Sequence, residues 1–353
     1  MDVRKSVLQG YSDRIGSLDG AMGSEAQQVC RMDAYEPALL NNVPAEIVAR
    51  DYGCGNPSKF AAAGETVLDL GSGSGKICYI LSQIVGAGGQ VIGVDMNKDM
   101  LELARAHQDA FAHKMGYSNL RFAWGSIDDL QTDLHHVEQA IAGRTLQSIA
   151  DYDDLQHALR EQKQAAPLIA DNSVDLVVSN CVINLVEIDK KRHVLEEIFR
   201  VLKPGGRIAL SDNVSNVEVP EELRNDPELW VGCYSGVYQE QDFYDALCDI
   251  GFVGLKVDDR ADVPEKTIGE VTFQSVTVTA FKPAAEEQDT TLSNVMYKGP
   301  WSEVTLETGS VLKRGQVTQL SSDEQLALRQ AAFVNEVYFL NDNNNTKTSG
   351  CCG

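Results

Sequence analysis

Much of what a chain of 353 residues could do is ruled out by what this one lacks. No apolar run approaches the roughly 20 residues that a membrane-spanning helix needs. The start, Met1-Asp2-Val3-Arg4-Lys5, has no apolar core of a secretory signal, so a cytoplasmic location is expected. Basic residues are scarce. The 30 Lys and Arg against 52 Asp and Glu leave a net charge of −22, which repels nucleic acid and anionic membranes alike. No C-x-x-C pair occurs, and the six histidines form no H-x-x-x-H pair, which removes the usual zinc and dithiol spacings. Eight cysteines are too few for a disulfide scaffold at this length, and a reducing compartment would keep most as thiols. With 43% apolar and 23% charged residues the chain reads as an ordinary soluble protein, expected to act as a monomer.

What is present centres on Val67-Leu68-Asp69-Leu70-Gly71-Ser72-Gly73-Ser74-Gly75, followed by Lys76-Ile77-Cys78-Tyr79-Ile80-Leu81. An apolar run with one acid passes three glycines at alternate positions and leaves as a helical pattern. This is how a buried parallel strand turns into a helix beneath a ligand. The spacing is G-x-G-x-G, not G-x-G-x-x-G, and no G-K-[ST] follows. A second strand, Gln90-Val91-Ile92-Gly93-Val94, ends in Asp95, where an acid can accept hydrogen bonds from a ribose. Asp69, the glycines and Asp95 together resemble the cofactor site of class I S-adenosylmethionine-dependent methyltransferases.

Residues 1–64 read as a helical leader carrying Cys30 and Cys54. From Thr66 to Ser211 strands (Val67–Leu70, Val91–Val94, Leu120–Trp124, Val174–Ser179, Arg207–Leu210) alternate with helices (Lys76–Ile84, Lys98–Met115, Asp189–Val201). That alternation predicts an α/β fold, a doubly wound Rossmann-like sheet over 65–215. A long acidic stretch, about 127–172, reads as a helical insertion covering a sheet edge. Lys203-Pro204-Gly205-Gly206-Arg207 predicts a tight turn. Residues 216–285 read as an α+β region completing the sheet, with a glycine-flanked aromatic loop at Leu229–Gly236, a helix at Gln241–Ile250 and a strand at Phe273–Ala280. After a linker at Lys282–Thr291, residues 286–340 form a small C-terminal domain with strands at Val295–Lys298, Trp301–Leu306 and Gln316–Leu320, and 341–353 a polar tail expected to be disordered.

Free cysteine is usually a small buried hydrophobe, and Cys78 and Cys248 fit core positions. Three others do not. Cys54 lies between two glycines, Cys181 stands just past the fourth strand, and Cys233 sits in the Gly232-Cys233-Tyr234 loop. Three loop thiols, two tied to glycine turns and one at the catalytic edge, invite a soft, thiophilic ligand. Tyr52-Gly53-Cys54-Gly55, the glycine loop, Ser179-Asn180-Cys181-Val182-Ile183-Asn184-Leu185, Leu229-Trp230-Val231-Gly232-Cys233 and Val295-Met296-Tyr297-Lys298-Gly299-Pro300-Trp301 resemble arsenite methyltransferases over about Cys30 to Leu340.

That resemblance implies methyl transfer from S-adenosylmethionine to trivalent arsenic, arsenite or methylarsenite and their thiol conjugates, held by Cys54, Cys181 and Cys233. It implies Asp69 and Gly71, Ser72, Gly73 and Gly75 at the methionine portion, Asp95 at the ribose, Met96 and Ile127 at the adenine, and Asn180 and Tyr52 near the methyl group. It further implies Cys30 and Cys54 as a redox pair, with thioredoxin or glutathione as reductant. The competing readings keep the cofactor residues. One has a carbon or oxygen acceptor such as a sterol or quinone, with the cysteines packing. The other is a soft-metal binder without catalysis, for which the cofactor residues would have no use.

Overall fold

The computed structural model describes residues 3–16, 35–50, 53–142, 147–284 and 293–340. The chain divides into two compact units between Lys282 and Pro283. In the first, β1 (Thr66–Leu70), β2 (Gln90–Asp95), β3 (Leu120–Trp124), β4 (Val174–Asn180) and β5 (Leu202–Ser215) pair in parallel in the order β3-β2-β1-β4-β5. β6 (Tyr238–Gln239) joins the end of β5. β7 (Val253–Arg260), β8 (Lys266–Ile268) and β9 (Val271–Phe281) complete the sheet, β9 running antiparallel to β5 and to the other two. The expected doubly wound sheet is present, and 216–282 lies in the same compact unit.

The described helices of this unit are α1 (Val3–Gly16), α2 (Pro37–Leu40), α3 (Ala45–Val48), α4 (Lys76–Val85), α5 (Lys98–Ala106), α6 (Gln108–Met115), α7 (Leu134–Ile141), α8 (Ile149–Ala165), α9 (Lys191–Val201), α10 (Glu221–Arg224), α11 (Pro227–Val231) and α12 (Glu240–Ile250). Because side chains alternate along a strand, each parallel strand feeds two cores. Leu68, Leu70, Val177 and Leu210 pack with Val194 and Ile198 of α9 and Phe243 and Leu247 of α12. Val67, Val91, Leu176 and Val178 pack with Ile77, Ile80 and Leu81 of α4 and with Phe111 of α6. α7 and α8 are the expected insertion. They bury little of themselves, and Leu130, Leu168 and Ile169 beside them enter the core.

Four local expectations are corrected. The single helix over 98–115 is two, because His107 ends α5 and begins α6, while Arg105 and Gln108 on either side donate to the Phe122 and Leu120 carbonyls of β3. The Lys203–Arg207 turn is a bulge within β5. Its register with β4 jumps from Val174↔Leu202 to Leu176↔Arg207, with Gly205 at φ +78°. Leu229–Val231 closes a short helix instead of a loop, since the Asp226 carboxylate accepts the Glu228 and Leu229 amides. Cys248 is exposed, not in the core: α12 turns Phe243 and Leu247 inward, and the next residue along a helix points elsewhere.

In the second unit β10 (Ser293–Tyr297) lies between β13 (Val317–Leu320) and β14 (Val337–Phe339), and β11 (Glu303–Thr305) pairs with β12 (Val311–Lys313). α13 (Ser322–Gln330), unforeseen, opens with a capping box in which Ser321 and Glu324 satisfy each other's backbone amides. Val295, Tyr297, Leu312, Leu320, Leu328 and Val337 form its core. The tail at 341–353 lies outside the described residues.

Gly75 shows how β1 sets the site. It caps α4 at φ +89°, and an added Cβ would meet the Phe122 ring at 2.8 Å. Gly75→Ala should destabilise the first unit by about 1–3 kcal/mol, the cost of a left-handed non-glycine residue plus a displaced ring. A melting curve unchanged by the substitution would contradict this account.

Candidate active site

The strand order reverses between β1 and β4, and a cavity opens there over the carboxyl ends of the strands. Asp69, Gly71, Ser72, Gly73, Asp95, Met96, Ile127 and Asn180 all line it. Gly75 does not; it is the tight contact between α4 and β3 just described. Tyr52 lies outside the described residues. Gly73 has open space where a Cβ would stand, and the Ser72 hydroxyl is buried without a partner, as in a seat awaiting a polar ligand. Asp95 accepts the Gly73 and Asn97 amides at 2.8 Å each, one on each oxygen, leaving further lone pairs for a diol. Burial pushes its carboxyl above the usual carboxylate range, opposed by those backbone donors. Cys78 packs in the core as expected, and its thiol also donates to Asp69 at 3.2 Å. These residues fit S-adenosylmethionine: Asp95 can accept hydrogen bonds from a ribose diol, and the backbone at Gly73 leaves room for a ligand to lie close.

Cys54, Cys181 and Cys233 come from three distant segments and cluster in the interior, with Leu185 against them. Among the described residues only Asn172, Cys181 and Cys233 combine a positive φ with a side chain, at +60° and +64° for the two cysteines. Such backbone is disfavoured for side-chain-bearing residues and persists where surroundings over-determine it, commonly at functional sites. The Cys181 amide donates to the Ser211 carbonyl at 2.8 Å, and the Cys233 thiol to the Cys181 carbonyl at 3.3 Å.

Cys54 is joined to Cys181 by a disulfide, with Cα atoms 5.8 Å apart. Cys30, expected to pair with Cys54, lies outside the described residues, as does the Cys351-Cys352 tail; the sulfur set against Cys54 here is that of Cys181. The reason is Asn180. Its Oδ1 accepts the Cys54 and Gly55 amides at 2.9 and 3.0 Å, and its Nδ2 donates to the Gly55 carbonyl at 2.9 Å. A Cβ on Gly53 would overlap that amide at 2.1 Å. Asn180 therefore does more than line the cavity: it clamps the Gly-Cys-Gly loop beside Cys181. Tyr35, unforeseen, donates to the same Gly55 carbonyl at 2.9 Å, under the Lys76 ammonium 4.1 Å from its ring.

A buried polar network, also unforeseen, backs the thiols. Lys191, 1% exposed, donates to Asn184 Oδ1 at 3.0 Å and to the Gly236 carbonyl. Asn184 Nδ2 donates to Asp212 Oδ1 and the Asn213 carbonyl at 2.7 Å each. Burial draws the lysine down to about 7 and the aspartate up to about 6, each partly offset by the other's charge. Only Asn184 lay in a motif that the sequence singled out. α1 supplies Val7, Leu8 and Tyr11 to the cofactor cavity, again with no signal in the sequence.

Asp95→Ala should weaken S-adenosylmethionine binding by about 1.5–3 kcal/mol, the usual worth of hydrogen bonds to a charged group. Lowering the pH through the raised Asp95 pKa should weaken it too, by protonating the acceptor, and Asp95→Asn should lose that pH dependence. Calorimetry showing equal affinity in wild type and Asp95→Ala would mean that the loop holds something else.

A family model described as a methyltransferase domain matches residues 61–250, and one described as a domain of unknown function matches 285–351. An arsenite methyltransferase of Aquipseudomonas alcaligenes is 33% identical over 96% of this chain and 91% of its own length. That of Mus musculus is 32% identical over 96% of this chain and 84% of its own. The crystal structure of an arsenic(III) S-adenosylmethionine methyltransferase from Chlamydomonas reinhardtii aligns at a TM-score of 0.58 and 29% identity, covering 88% of this chain and 98% of that one. With the glycine loop, Asp95 and Cys181 lining one crevice and Cys54 and Cys233 clustered with Cys181, the chain belongs to the arsenite methyltransferase family of class I S-adenosylmethionine-dependent enzymes.

Proposed function

We propose that this protein methylates trivalent arsenic, taken as arsenite, methylarsenite or their thiol conjugates, while the thiolates of Cys54, Cys181 and Cys233 hold it beside the cofactor. The observation that carries this reading is the convergence of three loop cysteines, two in left-handed backbone, next to a cavity that Cys181 itself lines. Soft sulfur ligands suit As(III), and oxygen ligands suit it poorly. S-adenosylmethionine bound in the cavity supplies an electrophilic methyl carbon. The chain supplies position: Asp69, the glycine loop and Asp95 fix one reactant and the thiolates the other, arsenic lone pair outward. Such positioning can contribute about 7–11 kcal/mol. No general base is needed, since arsenic gives up no proton.

Arsenic that has given its lone pair to carbon stands formally at As(V). Two thiolates return two electrons by closing a disulfide, and an external thiol such as thioredoxin or glutathione reopens it. Cys54–Cys181 is the pair in place for this. While it is closed, neither sulfur can bind arsenic, so reduction comes first in every cycle. Cellular detoxification and a cytoplasmic setting, where such reductants abound, accord with this requirement. A carbon or oxygen acceptor would leave the strained, clustered thiols without a task.

Cys181→Ser and Cys233→Ser should abolish arsenic methylation while leaving cofactor affinity intact, and Cys78→Ser should cost some stability only. Wild-type protein without reductant should take up no arsenite. Mass spectrometry of arsenic species checks both; methylarsenic formed by folded Cys181→Ser would sink the assignment.

A further inference from the structure

A lysine buried to 1% exposure is unusual, because leaving water costs an ammonium several kcal/mol and an apolar residue would fill the space as well. Lys191 must therefore be kept for what it holds. It ties the Gly236 carbonyl, three residues past Cys233, to the Asn184 carboxamide, three residues past Cys181. Asn184 in turn grips Asp212 through both its side-chain and its backbone nitrogen. The Asp212 carboxylate, 3% exposed, is thereby fixed so that one oxygen and the sulfurs of Cys54 and Cys181 all lie within 4.8 Å of one another. A hard, hydrogen-bond-accepting oxygen beside two soft sulfurs is not what an arsenic atom wants as a ligand. It is what an arsenic-bound hydroxyl wants as an acceptor.

We propose that Asp212 accepts a hydrogen bond from the hydroxyl groups of incoming arsenous acid, and that Asn184 and Lys191 are positioning residues that aim it. The idea deepens the reading of this site as an arsenic site and rests on it. Loading is an exchange without redox change: each step breaks one As–O bond and forms one As–S bond, and the thiol proton leaves with the hydroxyl as water. Asp212 orients the arsenic through a hydroxyl not yet exchanged while the first sulfurs attach. A fully thiolated substrate has no hydroxyl to offer, so the carboxylate favours free arsenous acid over tris-thiol conjugates.

The test compares two forms of one substrate. Arsenite with a phosphine reductant keeps its hydroxyls; arsenite in excess glutathione becomes its tris-thiol conjugate. In Asp212→Asn, kcat/KM for the first should fall at least about tenfold, the loss expected for a charged acceptor. For the conjugate it should change by less than about threefold, with S-adenosylmethionine affinity unaltered. Lys191→Met should show the same selective loss, and where it does not fold, the near-isosteric Asp212→Asn decides alone. Equal losses on both forms would make the network mere scaffolding for the thiols, and no loss on either would remove it from the reaction; both overturn the proposal. Wild-type protein that methylates neither form would instead defeat the arsenic reading itself.

Discussion

The carboxamide of Asn180 is the constraint on which this site depends. At the end of β4 it uses its carbonyl for two backbone amides and its amino group for one carbonyl of the Gly53–Gly55 loop. A loop from the leader, 126 residues away along the chain from Cys54 to Asn180, is thereby treated as an added strand edge. Partly buried hydrogen bonds of this kind leave little slack, because an unmatched backbone group there would cost more than the bond contributes. With glycine on both sides of Cys54 the loop can lie flat against the amide, and the thiol arrives beside Cys181 as a consequence.

The sheet does the remaining placement by topology. Parallel strands all present their carboxyl ends to one side, so the glycine loop after β1, Asp95 on β2, Ile127 after β3 and Cys181 after β4 meet without any element being designed for the meeting. Cys233 is brought in differently. It follows a short capped helix and is tied back by its thiol to the Cys181 carbonyl, while Lys191 holds the same loop three residues on. The left-handed backbone at Cys181 and Cys233 is sustained by these anchors, and the buried lysine and aspartate behind them exchange stability for fixed geometry.

Local rules were legible along the chain wherever neighbouring residues decide the outcome. The apolar runs of β1 to β4, the G-x-G-x-G turn, the acid closing β2 and the loop setting of three cysteines depend on near neighbours, and they specify a doubly wound sheet with a cofactor crevice. The tertiary structure decided everything that turns on contact between distant segments. It set Cys181 against Cys54, because Asn180 reaches across to that loop. It left Cys248 exposed by the rotation of a helix whose inward face was already filled. It also gathered Lys191, Asn184 and Asp212, three polar residues with no shared spacing, into one buried network, since hydrogen-bond partners are selected by proximity in the fold and leave no period in the sequence.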